Sequence, residues 1–421
     1  MKGGCAKVNI TPPVGYPLSG SAKRTKSSDS IADELYAKTI VLNDGQTTIA
    51  IICTDLLWVS LDMTNDIRKL IEEKTGIPGK NILVTASHTH YGPVLLKKIT
   101  KDARRDNAYT ETLLNKIAGA VLVAHKNMKT VKIGAVKGDV PEVSLNRRFK
   151  KPDGSIKMSW GTESRVVIPP KIKRKYNGSV KETVVIPFND PELEFGPVDP
   201  EVGIIRMEDL NGEIIGSLVN YACHTSSAGS LPDLLYSISA DYPTYIAEVV
   251  EQLEGGICLF ALGTAANIVT IKRGGEFRKG VGTALGAEAL RRLQFVSMSD
   301  NAELRSLTKS IVLPLKADRI KDGGKEYIES EIQVLKIGDI YILGLPGEII
   351  VEIGLEIKNR AGIENLFIFT CSNDRIGYVC NSKEYDAGGY EATRASKVAK
   401  GSGEIIIKEA LSLIKEIQES K

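Results

Sequence analysis

The sequence lacks any long apolar run. Its longest, such as 48–53 and 340–345, are far shorter than the roughly 20 residues that cross a bilayer, which excludes a membrane bundle. It also lacks a dominant charge: 55 Lys and Arg stand against 52 Asp and Glu, a net of +3, which argues against a dedicated nucleic-acid binder. No apolar segment follows Met1-Lys-Gly-Gly-Cys-Ala-Lys, so no secretory leader is visible. The six cysteines (Cys5, Cys53, Cys223, Cys258, Cys371, Cys380) show no CxxC spacing, and several lie in apolar runs, as reduced core thiols do. A cytoplasmic setting, with no integral membrane association and no nucleic-acid partner, is the simplest expectation. Histidine is scarce as well. His88, His90, His125 and His224 are the full set, so each can be weighed singly.

What remains is the composition of a folded globular protein: 42% apolar and 25% charged residues, which excludes a disordered or collagen-like chain. Residues 37–42 and 48–53 are strand-like and joined by Asn43-Asp44-Gly45, a hairpin signal. A helical spacing over 62–74 ends at Gly76-Ile-Pro78, and a strand follows over 81–86. Strand, helix and strand in that order predict a parallel βαβ unit. A looser version follows over 214–221, 241–253 and 256–262. Further strands are expected over 332–337 and 340–345, turning at Gly338-Asp339, and over 366–370. A helix opens after Glu348 and spans 349–361. The terminal helix over 404–417 presents Ile407, Ala410, Leu411, Ile414 and Ile417 on one face. The Lys-, Pro- and Gly-rich region 139–199, with Lys171-Ile-Lys-Arg-Lys175, reads as a solvated loop. These elements predict an α/β chain, a mixed and partly parallel β-sheet core with flanking helices, as one domain over 1–421.

Four places could carry chemistry. In an extended Ser87-His88-Thr89-His90 segment, alternate side chains share a face, so His88 and His90 would converge. Neutral imidazole is a preferred zinc ligand, although two polar residues ending a strand are the plain alternative. His224 follows an apolar strand and suits either a satisfied structural role or a ligand. Glu348 in Pro346-Gly347-Glu348 suits a helix N-terminus or an oxygen ligand. Tyr378, Tyr385 and Tyr390 belong to a tyrosine-rich loop that serves either amphipathic packing or a site. His88, His224, Glu348 and Tyr378 all fall just beyond the C-terminal end of an expected strand, the edge where α/β sheets bind ligands. Two histidines, a glutamate and a further oxygen donor would form a catalytic zinc sphere with room for water.

Ala6-Lys-Val-Asn-Ile-Thr-Pro-Pro13, Ala86-Ser-His-Thr-His90-Tyr-Gly-Pro93, Leu145-Asn-Arg147, Gly196-Pro-Val-Asp-Pro200, Pro346-Gly-Glu348 and the tail Gly377-Tyr378, Glu384-Tyr385, Tyr390-Glu391 resemble the neutral/alkaline non-lysosomal ceramidase family. The motifs run in family order from about residue 5 to about residue 395. The resemblance implies a ceramidase-like catalytic domain and a zinc-dependent amidase cleaving an N-acyl bond of a small-molecule substrate. His88, His224, Glu348 and Tyr378 match its zinc ligands. His90 and Arg147 match positions that hold the substrate carbonyl or the developing oxyanion, and Tyr390 matches a second active-site tyrosine.

Two departures qualify it. Where the family keeps a serine motif, this chain has Leu262-Gly-Thr-Ala-Ala-Asn-Ile-Val-Thr270, with Asn267 in the aspartate place and Val269 in the serine place. Thr264 and Thr270 are the nearby hydroxyls. Family members also usually continue into an immunoglobulin-like domain, which this chain is expected to lack. Both point away from ceramide, towards a soluble amide attacked by zinc-activated water. An esterase or lactonase, or a non-catalytic zinc- or ligand-binding relic, is the alternative. The basic stretch 92–107, with Lys97, Lys98, Lys101, Arg104 and Arg105, either favours a polar or anionic substrate or forms a solvated surface helix.

Overall fold

The computed structural model describes residues 1–95, 107–158, 172–176, 179–183, 194–227, 232–271, 274–320 and 324–420. Its main sheet comprises β1 (Lys2–Asn9), β2 (Tyr36–Asn43), β3 (Thr48–Thr54), β4 (Ile82–Ala86), β5 (Lys129–Asp139), β6 (Glu201–Asp209), β7 (Ile214–Tyr221) and β8 (Ile257–Leu262). They are ordered β8-β7-β6-β5-β1-β2-β3-β4. The centre is antiparallel, and only the two outermost pairs, β3 with β4 and β7 with β8, are parallel. A four-stranded sheet joins β9 (Leu304–Pro314), β10 (Tyr327–Ile337), β11 (Ile340–Gly344) and β12 (Leu366–Phe369) in that order, with β11 and β12 parallel.

Alternation along the strands produces the layering. Ile40, Leu42, Ile49, Ile51 and Leu83 turn to one face of the main sheet and pack against Leu335, Ile342, Phe367 and Phe369 of the second. Val41, Ala50, Ile52, Ile82 and Val84 turn to the other face. They meet helices α1 (Leu61–Thr75), α2 (Asn107–Lys126), α3 (Tyr242–Glu254) and α4 (Gly275–Leu293) through residues such as Ile67, Ile117, Ile246 and Leu285. The outer face of the second sheet is covered by α5 (Val351–Ala361) and α6 (Ser402–Glu419). The result is a helix–sheet–sheet–helix stack. Each helix forms where caps permit. In α1, the Ser60 side chain accepts from the Met63 N–H, and Gly76 closes the helix in the left-handed conformation that glycine tolerates.

Both predicted parallel units form, as do the hairpins at Asn43-Asp44-Gly45 and Gly338-Asp339. Three expectations change. The segment inside 171–175 read as a loop is strand over Ile172–Tyr176, paired antiparallel with Ser179–Thr183. The overlooked signal is Asn177-Gly178 between them, a hairpin dipeptide that itself lies outside the described residues. The helix expected over 349–361 starts at Val351, because Glu348–Ile349 pairs in parallel with Tyr378–Val379. In α6 the buried stripe is wider than expected: Ile406 and Leu413 join it, and Leu411 is only half-buried at its margin. Most of the basic stretch 92–107 lies outside the described residues.

Three hydrogen bonds stitch the strand ends of the two sheets together. The Thr370 N–H donates to Leu262 O (2.8 Å), the Ala86 N–H to Cys371 O (3.2 Å) and the Asn373 N–H to Val84 O (2.8 Å). Cys371 and Asn373 take left-handed backbone conformations to make this crossing. The C-terminal edges of β4, β7, β11 and β12 thereby face a common point.

Candidate metal centre and active site

His88 stands two residues beyond β4 and itself adopts a left-handed backbone (φ 64°). Such a conformation is uncommon for a residue with a side chain and clusters at functional sites. Its neighbours hold it there: the Thr89 hydroxyl donates to Ser239 O (2.6 Å) and the His90 N–H to Thr225 O (3.1 Å). The extended backbone expected for 87–90 is therefore a turn. His88 and His90 still converge, with Nε2 atoms 3.4 Å apart. Gly20 makes room for them, since a Cβ there would come within 2.5 Å of His90 Cα.

The Nδ1 of His88 donates to Leu57 O (2.7 Å), and that of His224 to Ala265 O (2.6 Å). Each bond makes Nδ1 the donor, so that Nε2 faces the centre and offers its lone pair whenever the ring is neutral. The two Nε2 atoms lie 3.1 and 3.5 Å from Glu348 Oε2. That oxygen is buried and makes no well-formed hydrogen bond. The Tyr378 hydroxyl is 3.5 Å from His224 Nε2. His88, His90 and His224 by themselves form a group whose ligand atoms lie within 4.8 Å of one another. His90 differs from the other two in being only half-buried.

Burial works against a charge on His88, but the Glu348 carboxylate outweighs it and holds that imidazole well above its usual range. Burial also opposes ionisation of Glu348, and His88 overcomes it, holding the carboxylate well below its usual range. Burial pushes His224 down to about 4 and His90 well down, so both are neutral near pH 7. The Tyr378 phenol is raised by burial and by Glu348. The neutral His224 and His90 imidazoles and the ionised Glu348, paired with His88, offer the nitrogen and oxygen donors that suit a divalent cation such as zinc.

Arg147 approaches from the opposite side. Its N–H donates to Asn267 O (2.8 Å), its Nε to Glu391 Oε1 (2.7 Å) and its Nη2 to the Tyr378 hydroxyl (3.3 Å). Its guanidinium lies 5.8 Å from the Tyr378 ring centroid and 5.7 Å from that of Tyr390. Arg148 turns the other way and donates from Nη1 to Glu391 Oε2 (3.0 Å). One fully buried carboxylate thus bridges two arginines.

Glu391 carries no role among the residues the sequence motifs single out. Its signal was the Arg147-Arg148 doublet, which needs a buried anion. Burial opposes its charge, and Arg147 with Arg148 outweigh that, holding its carboxyl below the usual range. Glu391→Gln is therefore expected to lower stability by about 3–5 kcal/mol, because it removes the buried carboxylate that Arg147 and Arg148 share, although Arg148 keeps its pair with Glu384. A depressed carboxyl contributes stability above its unfolded value and loses it as pH falls through the folded one. The deficit of the variant should be full above about pH 4.5 and shrink below it, as read by urea unfolding across pH.

The serine-motif stretch plays a different part here. Ala265 O and Ile268 O hold the His224 ring and main chain, and Asn267 O holds Arg147. Val269 is buried in a short strand, Ile268–Thr270, paired with Ser144–Asn146. Thr264 lies against Gly354 of α5, where a Cβ would meet its hydroxyl at 2.1 Å. The Asn267 side chain donates to Glu352 (2.9 Å) and accepts from the Val351 N–H (2.9 Å), so it anchors the start of α5. The structure thus brings together all seven residues singled out: His88, His90, Arg147, His224, Glu348, Tyr378 and Tyr390. Sequence reasoning passed over Arg24, whose Nη2 donates to His90 O (2.8 Å).

Residues 2–153 match the sequence profile of the family described as neutral/alkaline non-lysosomal ceramidase, N-terminal. Over this N-terminal region the chain is similar to the neutral/alkaline ceramidases. The neutral ceramidase of Pseudomonas aeruginosa superposes with a TM-score of 0.72 at 16% identity, over 99% of this chain and 74% of that one. A ceramidase complexed with C2 gives 0.73 at 15%, over 99% and 75%. These likenesses show that the chain shares its fold, a mixed sheet with flanking helices, with those ceramidases. Among the described residues no helix is long and apolar enough to cross a membrane.

Proposed function

We propose that the protein is a zinc-dependent amide hydrolase acting on a soluble N-acyl substrate rather than on ceramide. The observation that carries this reading is the convergence of two carbonyl-fixed imidazoles on the unsatisfied, buried Glu348 oxygen. His88, His224, Glu348 and Tyr378 would hold the ion. When bound there, zinc acidifies water and polarises a carbonyl at neutral pH. His90 is left to donate to the substrate carbonyl, since it is the half-buried histidine of the group. Arg147, kept cationic and oriented by Glu391, faces the negative charge that develops on the carbonyl oxygen. Tyr390 keeps its proton, its phenol raised by burial, and is half-buried beside Arg147, where it can protonate the leaving amine.

With a buried valine at 269 and Thr264 packed on α5, water is the nucleophile. The test is hydrolysis of a panel of short N-acyl amides, esters and long-chain ceramide in oxygen-18 water, with mass spectrometry of enzyme quenched within one turnover. Turnover of short amides, with label in the acid and no acyl adduct, is expected. A covalent adduct on Thr264 or Thr270 would contradict the water route. Efficient ceramide cleavage would contradict the substrate part.

A further inference from the structure

Beside the candidate centre stands a second group of cations that the proposed mechanism does not use. The Arg375 guanidinium carbon lies 3.4 Å from the Trp58 ring centroid, in contact with the ring face. Trp58 follows Leu57, whose carbonyl fixes His88. On the other side, Asp374 O accepts the Gly347 N–H (3.0 Å) and Gly377 O accepts the Glu348 N–H (2.9 Å). Arg375 therefore sits on the strand end that carries Glu348, and the Glu348 carboxylate lies within its electrostatic reach. Lys397 joins it: its Cγ would be 4.0 Å from a Cβ on Gly377, and Arg375 and Arg319 are its cationic neighbours.

The nearby acids are committed elsewhere. Glu348 faces His88 and His224. The Asp374 carboxylate accepts from the Leu61 N–H, the Ser330 hydroxyl and the Arg375 N–H. Among the described residues no carboxylate forms an ion pair with Arg375 or Lys397. The Glu348 and Asp374 carboxylates act on Arg375 and Lys397 only at a distance, while Arg375 and Arg319 repel Lys397, and an incoming anion relieves that repulsion. A guanidinium stacked on an aromatic face has its plane fixed while its N–H edges stay free, which pre-organises it for two-pronged binding of a planar or tetrahedral oxyanion.

We propose that Arg375, seated on Trp58, and Lys397 beside it bind an anionic group, carboxylate or phosphate, carried by the substrate. The inference rests on the amide hydrolase reading and names the substrate class for that site. The probes are two matched pairs: N-hexanoylglycine with neutral N-hexanoylglycinamide, and N-hexanoyl-phosphoethanolamine with N-hexanoylethanolamine. Each is titrated calorimetrically into zinc-loaded protein, and kcat/KM is measured wherever turnover occurs. The anionic member of at least one pair should be favoured by about 10- to 100-fold, the range of a hydrogen bond to a charged group. The pair with the larger ratio identifies carboxylate or phosphate.

That ratio should collapse towards unity in Arg375→Gln, fall partly in Lys397→Gln, and be retained in part by Arg375→Lys. Equal binding within both pairs, or no binding of either anion at millimolar concentration, overturns the proposal. So does a preference that survives both glutamine variants, because the anion then binds at the metal or elsewhere. A preference lost in Arg375→Gln, with no compound hydrolysed, upholds the anion site and overturns the amide hydrolase reading instead.

Discussion

Substituting alanine for His88 or His224 is expected to abolish metal binding and lower kcat/KM by about 1000-fold or more. Each imidazole offers one Nε2 to the centre, oriented by a main-chain carbonyl, so either substitution removes a ligand. Losing the ion forfeits several kcal/mol of charge stabilisation, which converts to that factor. It also leaves the Glu348 carboxylate buried without one of the two imidazoles it faces. Elemental analysis alongside kinetics separates this from simple unfolding, provided circular dichroism shows an intact fold. Full metal content and normal turnover in either variant would remove that histidine from the centre.

Arg147→Ala should lower kcat about 100-fold or more while leaving the chain folded. A preorganised donor aimed at developing negative charge contributes on the order of 3 kcal/mol. The fold should survive because Glu391 keeps Arg148 as a partner, whereas the glutamine variant at 391 takes the shared carboxylate from both arginines. Arg147→Lys restores charge but not the fork that reaches Glu391 and Tyr378 together, so it should recover only part of the loss. Stopped assays on a confirmed substrate, with thermal unfolding as control, decide the matter. Unchanged kcat in Arg147→Ala would place the arginine outside the reaction.

Much of this centre was legible because its residues follow strands. His88, His224 and Glu348 each trail a short apolar run with an obvious end, and strand periodicity is a local property. The seam between the two sheets was not legible. The contacts of Thr370 with Leu262, and of Cys371 with Ala86, join residues more than 100 positions apart, and only tertiary packing creates them. Local pattern also missed the backbone at His88. Period-two reasoning predicted convergence with His90 through an extended chain, whereas the real route is a left-handed turn imposed by Thr89 and Ser239. Glu348 shows the reverse case. Its place before a helical pattern suggested a cap, but a two-residue pairing with Tyr378 intervenes and aims the carboxylate at the histidines. Arg24, Glu391 and Arg375 carry no motif of their own and became visible only through what surrounds them.

The central claim is that one cation sits among His88, His224, Glu348 and Tyr378. The most direct test is a crystal structure of the zinc-loaded protein with diffraction data collected on both sides of the zinc absorption edge. One anomalous peak per chain should be bonded to the Nε2 atoms of His88 and His224, a Glu348 carboxylate oxygen and the Tyr378 hydroxyl, with His90 close by but not bonded. A peak held by His88, His90 and His224 without Glu348 or Tyr378, or no peak at this point in protein saturated with zinc, would contradict it.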